Sequence, residues 1–306
     1  MRFGAAFWVQ HTGWPELRDG VLRAEAAGFD DLWIDDHLLC DEGDWPDPKL
    51  EGWTALAAVA AVTTRARLGH LVVANTFRNP GLTAKMATTL DHVSGGRFIL
   101  GLGAGWFERE HDAFGLDFGS GFGERIDRLG EAVPLLRRLL DGETVSHEGR
   151  FYHLHDAVCA PHPAQARLPF LVGGTGPRKT IPLVARYADL WNAYGTPAEL
   201  VTHEARLREA CATVGRDERE IERTVNLNVV IRASRAEAER AWAGWMDVHR
   251  PQDDEDELSA GGTVDEVAAT LAAYREVGFA HPVLLFRTPW DVETMEALPA
   301  LRAALG

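Results

Sequence analysis

The sequence predicts an α/β protein whose strands close into a (β/α)8 barrel carrying two insertions. Three observations predict it. Eight short apolar runs recur along the chain, each followed by a segment of helical period, as a parallel sheet requires. None of the eight reads as antiparallel to its neighbour, which favours closure over a doubly wound open sheet. Eight units of roughly 30 residues fill the roughly 250 residues usual for such a barrel, and the chain has 306. The surplus falls in insertions at about 114–167 and 234–261, within one domain spanning 1–306.

Each element has its own local signal. Residues 2–9 alternate and are rich in apolar side chains, giving the first strand. Residues 15–27 place Leu17, Val21, Leu22 and Ala26 at helical spacing and stop at Gly28. The second strand is 31–35, followed by a helix at 52–64 and the third strand at 68–74. A helix at 80–93 opens on Pro80 and ends at Ser94-Gly95-Gly96. The fourth strand, 97–102, runs into a glycine-rich turn, with a helix expected from Trp106. Residues 124–140 form a long amphipathic helix, and 144–155 a hairpin turning at Glu148-Gly149. The fifth strand is 170–173, followed by a helix at 178–187 and the sixth strand at 189–192. Three later helices open with capping boxes, pairing Thr196 with Glu199, Ser234 with Glu237 and Thr263 with Glu266. The seventh strand is 224–231 and the eighth 283–286, and a helix at 292–305 ends the series.

Composition narrows the function classes. Asp plus Glu total 46 against 31 Lys plus Arg, a formal charge of −15 that repels nucleic acid and anionic membranes. The longest aliphatic run, 55–62, is too short to span a bilayer. No secretory apolar region precedes the first strand, so a cytoplasmic location is expected. Cys40, Cys159 and Cys211 are odd in number and widely spaced, against a disulfide framework or a thiolate zinc site. The acidic run Asp253-Asp254-Glu255-Asp256-Glu257 reads as a solvated loop face.

In a barrel the chemistry collects at the C-terminal ends of the strands. After the fourth strand comes Gly101-Leu102-Gly103-Ala104-Gly105-Trp106, and after the fifth Gly173-Gly174-Thr175-Gly176-Pro177-Arg178-Lys179. Glycines let backbone N–H groups approach an anion, and each turn precedes a helix start. Either could be a plain tight turn, but two of them favour a phosphorylated cofactor. The second strand ends in Trp33-Ile34-Asp35-Asp36-His37, where an imidazole can carry a proton at the barrel mouth with a carboxylate to orient it. His11 and His70 are similar candidates, His70 with the stronger case for strand packing. His147, His153, His155 and His162 lack further ligands at metal-site spacing, so no metal is expected. The sequence holds no Gly-x-Ser-x-Gly elbow, His-Glu-x-x-His or Walker-type lysine, which removes the usual support for hydrolase, metalloprotease and kinase readings.

Taken together these residues resemble the luciferase-like monooxygenase superfamily, in particular its branch that uses the deazaflavin coenzyme F420. The most specific stretches are Leu50-Glu51-Gly52-Trp53-Thr54, Leu68-Gly69-His70-Leu71-Val72 and Thr76-Phe77-Arg78-Asn79-Pro80. Ser94-Gly95-Gly96-Arg97 leads on to the first glycine turn, and Ala185-Arg186-Tyr187-Ala188-Asp189-Leu190-Trp191-Asn192 is equally characteristic. The resemblance implies a TIM barrel with an insertion, paired as a homodimer. It implies a non-proline cis peptide at or beside Leu71-Val72 backing the cofactor ring, and Asp36 and His37 close to that ring. It implies phosphate loops at Gly103, Ala104 and Gly105 and at Gly174, Thr175 and Gly176.

Sugar-phosphate dehydrogenases of the superfamily carry a proton-donating glutamate where this chain has Trp106, which points to a more apolar pocket. Trp8, Trp191 and His11 would add to the substrate walls. The expected function is therefore hydride transfer between F420 and a small organic substrate, with an FMN-dependent monooxygenase as the alternative and a non-catalytic flavin binder as a third reading.

Overall fold

A computed structural model describes residues 1–250 and 257–306. Among the described residues eight strands close the barrel, with the two-residue strand Val73–Ala74 as a ninth member of the sheet: β1 (Gly4–Phe7), β2 (Asp31–Ile34), β3 (Arg67–His70), β4 (Phe98–Gly103), β5 (Phe170–Gly173), β6 (Leu190–Ala193), β7 (Glu222–Leu227) and β8 (His281–Phe286). They lie in the order β3-β2-β1-β8-β7-β6-β5-β4, and β3 also pairs with β4, closing the (β/α)8 barrel. The pairings β1–β2, β1–β8, β7–β8, β3–β4, β4–β5 and β5–β6 are all parallel. β1, β2 and β6 are buried at every position, as strands covered on both faces must be.

The helices are α1 (Trp14–Ala27), α2 (Gly52–Val62), α3 (Pro80–Ser94), α4 (Glu108–Phe114), α5 (Phe122–Leu140), α6 (Thr180–Tyr187), α7 (Pro197–Val214), α8 (Arg235–His249), α9 (Val264–Glu276), α10 (Val292–Glu296) and α11 (Leu298–Leu305). Their ends follow the sequence signals. α1 stops at Gly28 in the left-handed region (φ 103°). Asn79 accepts a hydrogen bond from Gly81 N ahead of α3, and Thr263 and Glu266 form the full capping box of α9. The chain forms two compact units, one of Met1–Arg67, Ala193–Thr202 and Arg223–Gly306, the other of Leu68–Asn192 and His203–Glu222.

Several boundaries differ from the sequence expectation, each for a local reason. The third strand does not run through to Ala74: it stops at His70, and after Leu71 and Val72 the two residues Val73–Ala74 pair with β4. The seventh strand ends at Leu227, because the Asn228 carbonyl accepts from the amides of Ser259 and Ala260 instead of continuing the barrel ladder. Val229–Ile231 then pairs with Ala260–Gly262 in a separate parallel pair, so the second insertion begins before residue 234. The helix expected from Trp106 starts at Glu108, and the one expected from Arg178 starts at Thr180. The hairpin strands Val145–Glu148 and His153–Ala157 turn through residues 149–152, where the Glu131 carboxylate accepts from the amides of Phe151 and Tyr152. The final helix breaks at Ala297, just before Pro299.

The three cysteines are free and buried, and burial pushes the Cys40 thiol up to about 11, where it stays protonated and inert. Among the described residues no helix is long and apolar enough to cross a membrane. Of the acidic run at 253–257, all but Glu257 lies outside the described residues.

Candidate active site

In the unit that holds β1 and β2, the loop after β2 folds back on the strand ends. His11 N donates to Pro48 O (2.7 Å), Leu50 N donates to Val9 O (2.9 Å), and Gln10 and Lys49 form an antiparallel bridge. α2 then begins against β2: a Cβ at Gly52 would lie 2.5 Å from the Asp35 carbonyl, so only glycine fits. Glu51 caps the helix by accepting from the amides of Trp53 and Thr54. This path delivers the Lys49 ammonium, 2% exposed, to the end of β2, where it pairs with Asp35 and lies 3.6 Å from Asp41 Oδ1.

His37 Nε2 lies 4.0 Å from Asp41 Oδ2, with the imidazole 14% exposed. Burial raises the Asp35 carboxyl, but Lys49 and His37 outweigh it and hold it below the usual carboxylate range. Burial lowers Lys49, but Asp35 and Asp41 hold it above its ordinary value. Asp36 is buried. His11 has a left-handed backbone (φ 53°), lies 3.6 Å from Asp47 and packs edge-on against His249. Behind it, Arg287 is bidentate to the buried Glu42 and donates to Asn228 Oδ1 (2.8 Å). Trp8 is half-buried, its ring 5.7 Å from the Arg287 guanidinium.

In the other unit, the Leu71–Val72 peptide is cis. The surrounding glycines make room for this bulge. A Cβ on Gly101 would lie 1.9 Å from the His70 carbonyl, one on Gly103 2.4 Å from Val72 Cγ2, and one on Gly173 3.2 Å from Val72 Cγ1. Gly101 and Gly103 therefore belong to β4 and its packing, and only Gly105 in that turn has a positive φ (81°). Gly105 is held from two sides: its carbonyl accepts from Arg125 Nε (3.0 Å), and a Cβ there would lie 2.6 Å from Thr76 Oγ1. The Thr76 hydroxyl bonds His111 Nε2 (2.7 Å), and His111 Nδ1 bonds Phe107 O (2.8 Å). Trp106 is 56% exposed and stacks on Phe107.

The second glycine turn is built differently. The Gly174 amide donates to Asn192 O (3.0 Å) and its carbonyl accepts from Trp191 Nε1 (2.8 Å). Gly174 thus offers no amide to a ligand. Trp191, fully buried, supports the turn and does not form an open wall. Thr175 and the Gly176 amide take no hydrogen-bond partner among the described residues, which leaves donors of the kind a phosphate accepts. Lys179 is held by Asp127 and the Gly123 carbonyl.

Both turns follow strands that pair in parallel, so they lie at one rim of that unit. Asp36 and His37 follow β2 at the C-terminal end of a strand of the same closed sheet. Sequence reasoning missed Lys49, Asp41, Thr76, His111 and Arg125. Lys49 and Asp41 sit in a loop without periodicity, and Thr76 and His111 are far apart in sequence and meet only in the folded chain. His70 is fully buried in β3, as strand packing suggested. Among the described residues no group of histidines, cysteines and carboxylates could hold a metal ion.

A profile of the luciferase-like monooxygenase family matches residues 1–257. A protein of Kineococcus radiotolerans named F420-dependent glucose-6-phosphate dehydrogenase is 33% identical over 90% of this chain and 87% of its own length. One of the same name from Microbacterium testaceum is 30% identical over 99% of this chain and 98% of its own. Among solved structures, an F420-dependent secondary alcohol dehydrogenase in complex with an F420-acetone adduct superposes with a TM-score of 0.85 at 21% identity, covering 100% of this chain and 99% of that one. That last likeness is one of fold, while the profile and the sequence relatives settle kinship: the chain belongs to the luciferase-like monooxygenase family.

Proposed function

We propose that this chain is a coenzyme F420-dependent oxidoreductase acting on a small organic substrate, with His37 carrying the proton that accompanies hydride transfer. The observation that carries the reading is a shielded imidazole, 14% exposed and facing a carboxylate, directly after a barrel strand. The choice of cofactor is supported by the relatives named for F420. When bound, the deazaflavin supplies the hydride chemistry.

The chain's own residues bind and orient. The Leu71–Val72 bulge backs the ring, and Thr175, Gly176, Ala104 and Gly105 hold the phosphate, with Gly174 setting the turn. Asp41 Oδ2 faces His37 Nε2 and stabilises the imidazolium, while the buried Asp36 adds negative charge beside the ring. Trp8 and Trp106 line the substrate side. Trp106, directly after the glycines, has no ionisable group, so the proton role is assigned to His37. His11, pinned to Asp47, is the reserve candidate.

Titration of the purified protein with F420 and with FMN tests the cofactor. F420 is expected to bind at least about tenfold more tightly, a difference of about 1.4 kcal/mol; tighter FMN binding would overturn the assignment. We also infer a cytoplasmic homodimer, supported by Ala57, Ala58 and Ala61, which are not buried by the α2 fold and would allow close helix approach. A monomer in sedimentation at micromolar concentration would refute the pairing.

A further inference from the structure

We propose that Lys49 sets the charge environment of His37, its ammonium compensating the Asp35 carboxylate at the end of β2 and the Asp41 carboxylate that faces the imidazole. The proposal rests on the reading of His37 as proton carrier. Its geometric content stands without that reading.

The arrangement is a chain of charges in fixed order. Asp35 is anchored by accepting from the Val9 amide (3.0 Å). Lys49 pairs with it and reaches Asp41 at 3.6 Å, and Asp41 reaches the imidazole at 4.0 Å. Lys49 is 2% exposed, Asp35 5% and Asp41 11%, so water screens these contacts weakly. A buried ammonium is tolerated only when carboxylates compensate it, so Lys49 holds both carboxylates near it.

The charged groups around the imidazole are Asp35, Asp36 and Asp41 from its own strand end and loop, and Lys49 from the far end of that loop. From the β1 side, His11 turns to Asp47 at 3.6 Å. Three carboxylates against one ammonium leave a net negative charge around His37, which favours the imidazolium. Lys49 limits that preference by neutralising part of it. Asp41 is held too from the β1 side, its amide donating to Gln10 Oε1 (3.3 Å). The Gln10 contact thus fixes where the carboxylate stands, and Lys49 fixes its charge environment.

The test is an NMR titration of the His37 imidazole in the protein without added cofactor, with its resonance assigned by its loss in His37→Gln. Asp41→Asn is expected to lower the midpoint by about one pH unit, and Lys49→Met to raise it by about as much, each a tenfold change in proton affinity. The double variant should return close to the starting midpoint. A purely structural Lys49 would change melting temperature and leave the midpoint in place. Shifts below about 0.2 unit in both single variants, or shifts of the same sign, overturn the proposal. Asp41→Asn is nearly isosteric and keeps the test decisive if Lys49→Met fails to fold. With cofactor and substrate added, the acid limb of kcat/KM should move in the same directions. If the NMR shifts occur while His37→Ala retains full turnover, the proton-carrier role falls and the Lys49 coupling stands.

Discussion

His37 shows what a single residue can and cannot announce. A histidine beside two aspartates at a strand end is visible in the sequence, because a barrel puts strand ends at its mouth whatever the loops do. The charged groups that flank it in the structure were not visible. Asp41 and Lys49 lie in a loop with no apolar period, and backbone contacts of residues 48–50 with residues 9–11 decide which of that loop's charges returns to β2. The expectation named Asp36 as the orienting carboxylate, while the structure places Asp41 opposite Nε2 at 4.0 Å. For the proposed reaction, His37→Ala should lower turnover by roughly 10²–10⁴ and leave F420 affinity nearly unchanged. The candidate cofactor contacts rest on backbone groups and the bulge, neither of which needs this imidazole. Asp36→Asn should give a smaller loss. Turnover, affinity and melting temperature measured on one preparation decide the matter: a joint loss of stability and affinity, with turnover tracking the folded fraction, would make His37 structural.

At the scale of elements, one glycine-rich segment turns out to serve two purposes. Gly101-Leu102-Gly103-Ala104-Gly105 reads in sequence as an anion turn, because glycine spacing alone cannot tell a ligand's approach from that of a neighbouring strand. The structure separates them. Gly101 and Gly103 give way to the bulge after β3, and Gly105 bends the chain beneath Thr76. The helix that was to aim its N-terminus at the turn starts two residues later than Trp106, at Glu108. Gly101→Ala tests this division. Its Cβ would lie 1.9 Å from the His70 carbonyl, a backbone atom that cannot swing away. The variant should lose about 3 kcal/mol of stability, the upper range for overpacking. Gly130→Ala in α5 is the control, since a Cβ there meets nothing within 4 Å. It should be neutral or gain up to about 1 kcal/mol from helix propensity. Denaturant melts in which Gly101→Ala matches Gly130→Ala would show that the bulge does not dictate the glycine.

At the scale of the whole molecule, the barrel was legible because local signals agree with the global fold: apolar strand runs, helix caps and turn glycines all recur in the same order. What stayed hidden was the polar fastening of the strand starts, which depends on residues far apart in sequence. Asp31 opens β2, Arg67 opens β3 and His281 opens β8, and the carboxylate of Asp31 takes both partners, Arg67 Nη2 at 3.0 Å and His281 Nε2 at 2.7 Å. Strand starts in a barrel face away from the chemistry, so this cluster serves stability.

Burial would raise the Asp31 carboxyl, but hydrogen bonds from His281 and Arg67 bring it down from 3.8 to about 2. A carboxyl lowered on folding contributes stability that is complete above its unfolded value and disappears as pH falls through its folded value. The contribution is therefore full above about pH 5, mostly lost by about pH 2 and gone below it, and the shift corresponds to about 2 kcal/mol. Asp31→Asn should cost about 3 kcal/mol at neutral pH, because it leaves the buried His281 and the half-buried Arg67 guanidinium without their shared counter-charge. The gap between wild type and variant should then narrow by about 2 kcal/mol as pH drops from 5 to 2. Urea unfolding at several pH values measures that gap directly. A gap that stays constant across the window would mean that Asp31 holds the strand starts by shape and hydrogen bonding alone, with its charge contributing nothing.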